Sequence, residues 1–189
     1  MYHISSDRRE QNSADKLAKA AEQLLLRGET QKWTVSLLSK EAGVSRSTFY
    51  RLFDEPDDVL QYAADREFDT MVRGYLDLME RAKAHDLSVP PPARWYAEAF
   101  RKRSKEIAAM VNAGKSETLT RAHRNALRKY APVLFPDLEQ DSEEYEFFLE
   151  MRTSILMGTV RAWVATGQNV SVDAISRYAD QQLKYLTEV

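Results

Sequence analysis

The sequence contains no cysteine among its 189 residues. This absence excludes disulfide bonds, thiolate zinc sites and a cysteine nucleophile, and it suits a reducing cytoplasm. Histidine is scarce too: His3, His85 and His123 are far apart and show no metal-ligand spacing. A Gly-rich phosphate loop and a nucleophile elbow are both missing, and neighbouring acidic residues on a helix do not face each other. We therefore predict a protein that is not an enzyme and that needs no cofactor and no metal.

Long apolar runs are also lacking. No segment approaches the roughly 20 apolar residues that span a bilayer, and the first ten residues are mostly polar. We therefore expect neither a signal peptide nor a membrane anchor, and we predict a cytoplasmic protein without a membrane partner. Hydrophobic residues make up 43% and charged residues 30% of the chain, which permits a packed core in one or two domains.

Charge is unevenly distributed, although the formal net charge is only −2. Residues 1–53 contain nine Lys and Arg against six Asp and Glu, whereas residues 137–150 contain seven acids and no base. A basic end on an acidic body fits a protein that binds DNA through one end. Both clusters also fit an ordinary solvated surface.

Residues 34–53 show the pattern of a helix-turn-helix. Thr34 is a candidate N-cap, and apolar residues follow it at the spacing of a short amphipathic helix. Gly43 can end this helix, because glycine adopts the left-handed conformation without a Cβ penalty. Ser45 can then cap a second helix that reaches Phe53.

The second helix places donors outside and aromatic residues inside. Phe49 and Phe53 are four residues apart and therefore lie on the same face. Arg46 and Arg51 can each present a bidentate fork to a guanine or to a phosphate, and the sequence does not choose between them. Short hydroxyl side chains near the helix start can also contact phosphate.

At these residues the sequence resembles the TetR-type (tetracycline-repressor-like) bacterial regulators. The resemblance is carried by Thr-Val at 34–35, Ala-Gly-Val-Ser at 42–45 and Ser-Thr-Phe-Tyr-Arg-x-Phe at 47–53. It covers roughly residues 13–60 in its specific part, about a quarter of the chain. The combination of the two longer segments is far more specific than a bare helix-turn-helix pattern.

The resemblance implies a repressor that binds a pseudo-palindromic double-stranded DNA operator as a homodimer and is released by a small effector. It makes Tyr50 a phosphate contact; the alternative is that Tyr50 only packs beside Phe49. With these implications the predicted DNA-binding residues are Thr34, Lys40, Ser45, Arg46, Ser47, Thr48, Tyr50 and Arg51.

The chain departs from the family pattern at the start of the fourth helix. Relatives commonly place a lysine there, whereas this chain has Pro56 among four acids at positions 54, 55, 57 and 58. The acids suit the positive end of the helix dipole. We expect these acids to repel DNA and so to weaken its binding at this helix end.

Helical periodicity continues to the end of the chain and predicts an all-α fold. We expect a loose arm over residues 1–12, and about nine helices in all. Besides the helix-turn-helix, the predicted helices cover residues 13–27, 54–84, 93–111, 116–130, 141–165 and 171 to near the end. We predict a DNA-binding domain over residues 1–55 and a dimerisation and effector domain over residues 56–189.

In relatives the last two long helices pair with their copies in a four-helix interface. The resemblance therefore assigns the dimer interface here to Leu156, Val160, Trp163, Ile175, Tyr178 and Leu183. The alternative is that these apolar faces are covered inside one chain.

Aromatic and methionine residues concentrate in the C-terminal half and suggest a cavity for a small apolar or aromatic effector. The predicted lining is Trp95, Phe100, Met110, His123, Phe147 and Met151. Such residues at helical spacing more often form a plain core. A second function class also stays open, a co-regulator of the same fold that acts through protein contacts and binds DNA weakly.

Overall fold

The computed structural model describes residues 1–29, 33–140 and 142–185, without the side chains of 180 and 182–185. These residues form nine helices and no strand, and an isolated bridge pairs Tyr2 with Phe53. The all-α prediction is therefore confirmed. The helices are α1 (Arg8–Leu26), α2 (Val35–Ala42), α3 (Arg46–Leu52), α4 (Pro56–Ala84), α5 (Pro92–Lys102), α6 (Ser104–Asn112), α7 (Ser116–Leu134), α8 (Glu143–Ala165) and α9 (Val172–Tyr185).

The first core lies among α1, α2, α3 and the beginning of α4, a unit we call the head. Phe49 and Phe53 are fully buried in it, with ring centroids 5.7 Å apart. Such a pair adds roughly 0.5–1.5 kcal/mol to the gain from burial alone. The other buried members are Ala14, Leu17, Ala21, Leu24, Leu38, Leu52, Val59, Leu60 and Tyr62.

The second core fills the body, which α4 to α9 form. Here α4 packs along α7, α5 along α9, and α7 along α8. Phe68 and Val72 of α4 belong to this core, whereas Val59 and Leu60 of the same helix belong to the head. Because one continuous helix supplies both cores, the head and the body are joined through α4.

The predicted N-terminal arm is not loose, which corrects the sequence analysis. Asp7 caps α1 by accepting a hydrogen bond from Arg9 N at 2.6 Å, so the helix begins five residues earlier than position 13. Ahead of it, the Tyr2 ring meets the Tyr62 ring edge-on at 5.4 Å, and His3 N donates to Leu52 O at 2.8 Å. These partners are about 50 or more residues away in the sequence, so periodicity could not reveal them.

The helix predicted over residues 93–111 is two helices. Arg103 leaves the helical region (φ −114°, ψ 27°) and separates α5 from α6. Its guanidinium donates to Glu22 Oε1 at 2.6 Å and to Glu67 Oε1 at 2.8 Å. The break thus accompanies ion pairs that connect α5–α6 with both α1 and α4. In contrast, α7 continues past the predicted stop at Pro132 for about half a turn, to Leu134.

A buried histidine marks the middle of the body core. His123 Nδ1 is 3.1 Å from Thr153 Oγ1, and both side chains are buried. Burial lowers the pKa of His123 from its ordinary 6.5 to about 4. The unfolded chain therefore takes up this proton at a higher pH than the folded chain, and stability is lost as the pH falls below 6.5.

This pKa difference predicts a pH-dependent stability. Between about pH 7 and pH 5 the free energy of unfolding of the wild type should fall by about 2 kcal/mol more than that of His123→Phe. Urea titrations at several pH values measure the difference. His85→Gln, at an exposed position, is the control and should keep the wild-type slope. Parallel slopes for the wild type and His123→Phe would contradict the neutral, buried state of His123.

The turn of the helix-turn-helix requires a left-handed residue. Gly43 has φ 62°, and a Cβ built there would meet nothing within 4 Å. Gly43→Ala should therefore lose roughly 1–2 kcal/mol of unfolding free energy through backbone conformation alone. Gly43→Asn should lose less, because asparagine tolerates this conformation. Urea unfolding of both variants tests this, and an alanine variant as stable as the wild type would contradict it.

Candidate nucleic-acid interface and ligand cavity

Two side-chain caps and one glycine define the helix-turn-helix. Thr34 Oγ1 accepts from Leu37 N at 3.2 Å at the start of α2, and Ser45 Oγ accepts from Thr48 N at 3.1 Å at the start of α3. Both caps occur where the sequence predicts them. Between them, Gly43 N donates to the carbonyl end of α2. Each of these three helix ends thus has part of its free backbone groups satisfied locally.

The surface of α3 is polar and exposed, while its other side is buried. Arg46 and Arg51 are both exposed, and Tyr50 is 59% exposed although its ring meets the edge of Phe49 at 5.7 Å. Tyr50 therefore packs on the core and still presents its hydroxyl to the outside. Of the eight residues predicted to contact DNA, all are exposed except Thr48, which is half-buried.

Some of these side chains already have partners within the head. Arg46 Nη2 donates to Ser36 Oγ of α2, and Ser45 Oγ lies 2.9 Å from Thr48 Oγ1. The hydroxyls of Ser45 and Thr48 are therefore engaged in the start of α3. The structure brings Ser36 into the group, a residue that the sequence analysis did not select because its role depends on the packing of α2 against α3.

Glu10 is another residue beside the predicted DNA-binding side chains that the sequence analysis did not select. It accepts from Ser5 N at 3.1 Å and from Ser5 Oγ at 2.6 Å, and these bonds lower the pKa of its carboxyl. Its other oxygen is 3.5 Å from Arg51 Nε. An early helix start was the only available signal, since it would have placed Glu10 on α1.

The acids at the start of α4 are largely engaged by cations or by the helix end. Asp58 accepts from Glu55 N at 2.9 Å in a capping box. Asp57 pairs with Lys115 Nζ at 2.7 Å, and Asp54 lies 2.9 Å from the ammonium of Met1, which lowers the pKa of Asp54. The expected weakening of the DNA grip is therefore smaller than the bare sequence indicates, because three of the four acids have partners.

A cavity of about 180 Å³ lies in the body among α4, α5, α7, α8 and α9. Phe100 and His123 line it, as the sequence analysis predicts. The other lining residues include Val72, Tyr75, Tyr96, Leu127, Leu134, Phe135, Arg152, Ile155, Leu156, Thr159, Val160, Trp163, Ile175 and Ala179. The wall is almost entirely apolar, which is typical of a site for an apolar ligand.

The other predicted lining residues lie elsewhere. Trp95 donates from Nε1 to Met71 O at 2.9 Å and covers Gly74 outside the cavity wall. Met110 lines a second cavity of about 260 Å³ beside α1, α4 and α6. Phe147 and Met151 are 61% and 47% exposed on the outer side of α8. The predictions for Trp95, Phe147 and Met151 are therefore corrected, since these residues line neither cavity, whereas Met110 lines the second cavity and not the first.

Arg152 is the cavity residue that the sequence analysis did not select. Its guanidinium carbon is 5.0 Å from the ring centroids of both Phe135 and Phe148. Within the described part of the chain no carboxylate pairs with it and no acceptor takes its hydrogen bonds. Burial lowers the pKa of Arg152. A charged residue inside the apolar stripe between Leu149 and Ile155 was the available signal.

The predicted dimer residues divide into buried and exposed groups. Val160, Trp163 and Ile175 are buried in the core of a single chain, and Leu156 lines the cavity. These four are therefore corrected to interior positions, in agreement with the alternative interpretation. Tyr178 is 55% exposed, and the side chain of Leu183 lies outside the described residues.

Across residues 1–29, 33–140 and 142–185, no group of three or more His, Asp or Glu side chains could hold a metal ion. Over the same ranges, no helix is both long enough and apolar enough to cross a membrane.

Comparisons with known proteins bear on the fold. No protein-family model matches the chain, and no match is found among curated proteins. Among solved structures it is similar to the fatty acid degradation regulator FadR from Bacillus halodurans, with 19% identity, a TM-score of 0.56 and coverage of 90% of this chain and 93% of that one. A weaker similarity, with a TM-score of 0.49 and 13% identity over 92% of this chain and 99% of the other, links it to a transcriptional regulator (TerR/AcrR family) from Aquifex aeolicus VF5. The first similarity confirms the all-α fold that the resemblance in the sequence implies.

Proposed function

We propose that the protein is a DNA-binding transcriptional regulator, a repressor that acts as a homodimer and is released by a small apolar effector. The observation that carries this proposal is the exposed polar surface of α3, which rests on the fully buried Phe49 and Phe53. A short capped helix with two exposed arginines and a tyrosine hydroxyl is suited to the major groove of DNA.

The contacts within the head orient the two arginines before DNA arrives. Arg46 is held by Ser36 of α2, and Arg51 lies beside Glu10 of α1. In the proposal Arg46 contacts a base edge and Tyr50 contacts a phosphate. Thr34 and Lys40, at the two ends of α2, approach the DNA backbone. An arginine that is already oriented loses less side-chain entropy on binding.

We assign the dimer interface to the outer face of α8 together with Tyr178 of α9. Exposed or small residues follow one another on this face at spacings of three or four: Phe147, Met151, Ser154, Gly158 and Ala162. Two copies of such a face can form a four-helix interface, which buries the exposed Phe147 and Met151. The two copies of α3 would then lie about 34–36 Å apart, one turn of DNA.

We assign a separate function to the part of the chain around each of the two cores. In the proposal residues 1–55 read DNA and residues 56–189 dimerise and bind the effector in the cavity between α4 and α9. The effector acts on the head through α4 and through the ion pairs of Arg103 with Glu22 and Glu67 and of Lys115 with Asp57. Free acids after Phe53 would repel DNA and favour the co-regulator alternative, but three of the four have local partners.

Substitutions of Arg46 and Tyr50 should have different effects on the sequence preference of DNA binding. Against an operator selected from random duplex DNA, Arg46→Ala should lose about 1–3 kcal/mol of binding free energy and relax the preference at one position. Tyr50→Phe should weaken binding to all sequences alike, because only a phosphate contact is lost. Fluorescence anisotropy at several salt concentrations measures both.

Arg121→Ala, on the exposed side of α7, serves as the control and should bind as the wild type does. Equal, sequence-independent losses from Arg46→Ala and Tyr50→Phe would make Arg46 a phosphate contact. A wild-type protein that selects no sequence from the pool would overturn the proposed function.

The dimer assignment predicts the effect of a charge on the outer face of α8. Ala162 is exposed within one chain, so Ala162→Arg should fold normally and sediment as a monomer at micromolar concentration, where the wild type is a dimer. The reason is that the interface would then bury two unpaired charges, one from each copy. Met79→Arg, at an exposed apolar residue of α4, is the control and should stay dimeric. A dimeric Ala162→Arg would refute the assignment.

A further inference from the structure

The cavity in the body runs beside α8 over several helical turns, and we call it the slot. Arg152, Ile155, Thr159 and Trp163 line it from the same side of this helix, at successive spacings of three or four residues. The distance along α8 from Arg152 to Trp163 is about 16 Å, at 1.5 Å per residue. An extended ligand therefore fits this cavity better than a compact one of the same volume.

Arg152 makes one end of the slot different from the rest. The two phenylalanine rings hold the guanidinium in place, but aromatic faces cannot satisfy its N–H donors fully. Across the described residues these donors have no carboxylate and no hydrogen-bond acceptor. A half-buried cation without an anion is costly, and a planar guanidinium matches a carboxylate bidentately.

We propose that the effector is an unbranched carboxylate with an apolar tail, whose head group binds Arg152 and whose tail lies along α8 toward Trp163. This inference rests on the proposed function, since it names the effector class for the cavity assigned there. A neutral ligand would leave the guanidinium unpaired. A cationic ligand would add a second charge of the same sign to an almost entirely apolar wall.

Phe100 limits the length of the tail. It is the residue that lines both the slot and the second cavity beside α1, α4 and α6. Its ring meets the Phe68 ring edge-on at 6.1 Å and the Tyr96 ring at 5.9 Å, so an aromatic group separates the two spaces. A smaller side chain at position 100 would connect them and admit a longer tail.

The test measures binding of matched ligands to the full-length protein without DNA. Decanoate, decanol and decylamine carry the same tail, and isothermal titration calorimetry gives each affinity at concentrations below micelle formation. Decanoate should bind roughly 10-fold tighter than decanol or better, as one charge-assisted hydrogen-bonded pair provides. Decylamine should bind most weakly.

Three variants locate the head group. Arg152→Gln should bind decanoate and decanol equally, with decanol affinity close to that of the wild type, whereas Arg152→Lys should keep part of the preference for decanoate. Arg121→Gln, an exposed arginine on α7, should behave as the wild type. Equal affinities of wild type for decanoate and decanol would overturn the proposal. The proposal would also be overturned if Arg152→Gln and Arg152→Lys both lost their affinity for decanoate and decanol alike.

A series of carboxylates with increasing tail length tests whether Phe100 closes the slot. From octanoate to palmitate, Phe100→Leu should move the tightest-binding length upward, and an unchanged optimum would remove Phe100 as the limit. These titrations contain no DNA. A negative result would therefore reject the proposed effector class but would not affect the proposal that the protein binds an operator, which the Arg46 and Tyr50 variants test. Conversely, a lack of operator binding would not change the measured ligand affinities.

Discussion

The structure depends on a single rigid element, the 29-residue helix α4. At 1.5 Å per residue it is about 44 Å long. Its first turns complete the core under the helix-turn-helix, and its middle supplies Phe68 and Val72 to the core of the body. Protein cores are close-packed and do not deform continuously. A shift of α4 in the body must therefore be accompanied by a shift of the head.

The ion pairs around α4 contribute little to stability, and their main role is to connect neighbouring helices. Arg103 contacts Glu22 of α1 and Glu67 of α4, and all three side chains are partly exposed. Such pairs contribute only about 0–1 kcal/mol each. Their importance is geometric, because Arg103 also stands at the break between α5 and α6. A change in the cavity that moves α5 thus has a polar connection to the head in addition to the packing of α4.

The body keeps polar groups in places where an ordinary core would have none. His123 is buried beside Thr153, Trp163 Nε1 is buried without a described partner, and Arg152 lies between two aromatic rings. The unsatisfied buried donor of Trp163 costs about 1–3 kcal/mol. The presence of these three polar groups around one apolar cavity is easier to explain by a ligand than by folding alone, because stability by itself would favour apolar residues at these positions.

The sequence by itself determined the local features of this protein. Caps at Thr34 and Ser45, the left-handed Gly43 and the aromatic spacing in α3 depend on neighbouring residues, so the helix-turn-helix and most helix bounds were predictable. Tertiary contacts decided the rest. The break at Arg103 and the early start of α1 accompany partners far away in the sequence. Apolar residues lie on nearly every side of α8, so periodicity could not tell its buried face from its outer one. Only packing against α7 and α9 placed Trp163 and Arg152 inside and left Phe147 and Met151 outside.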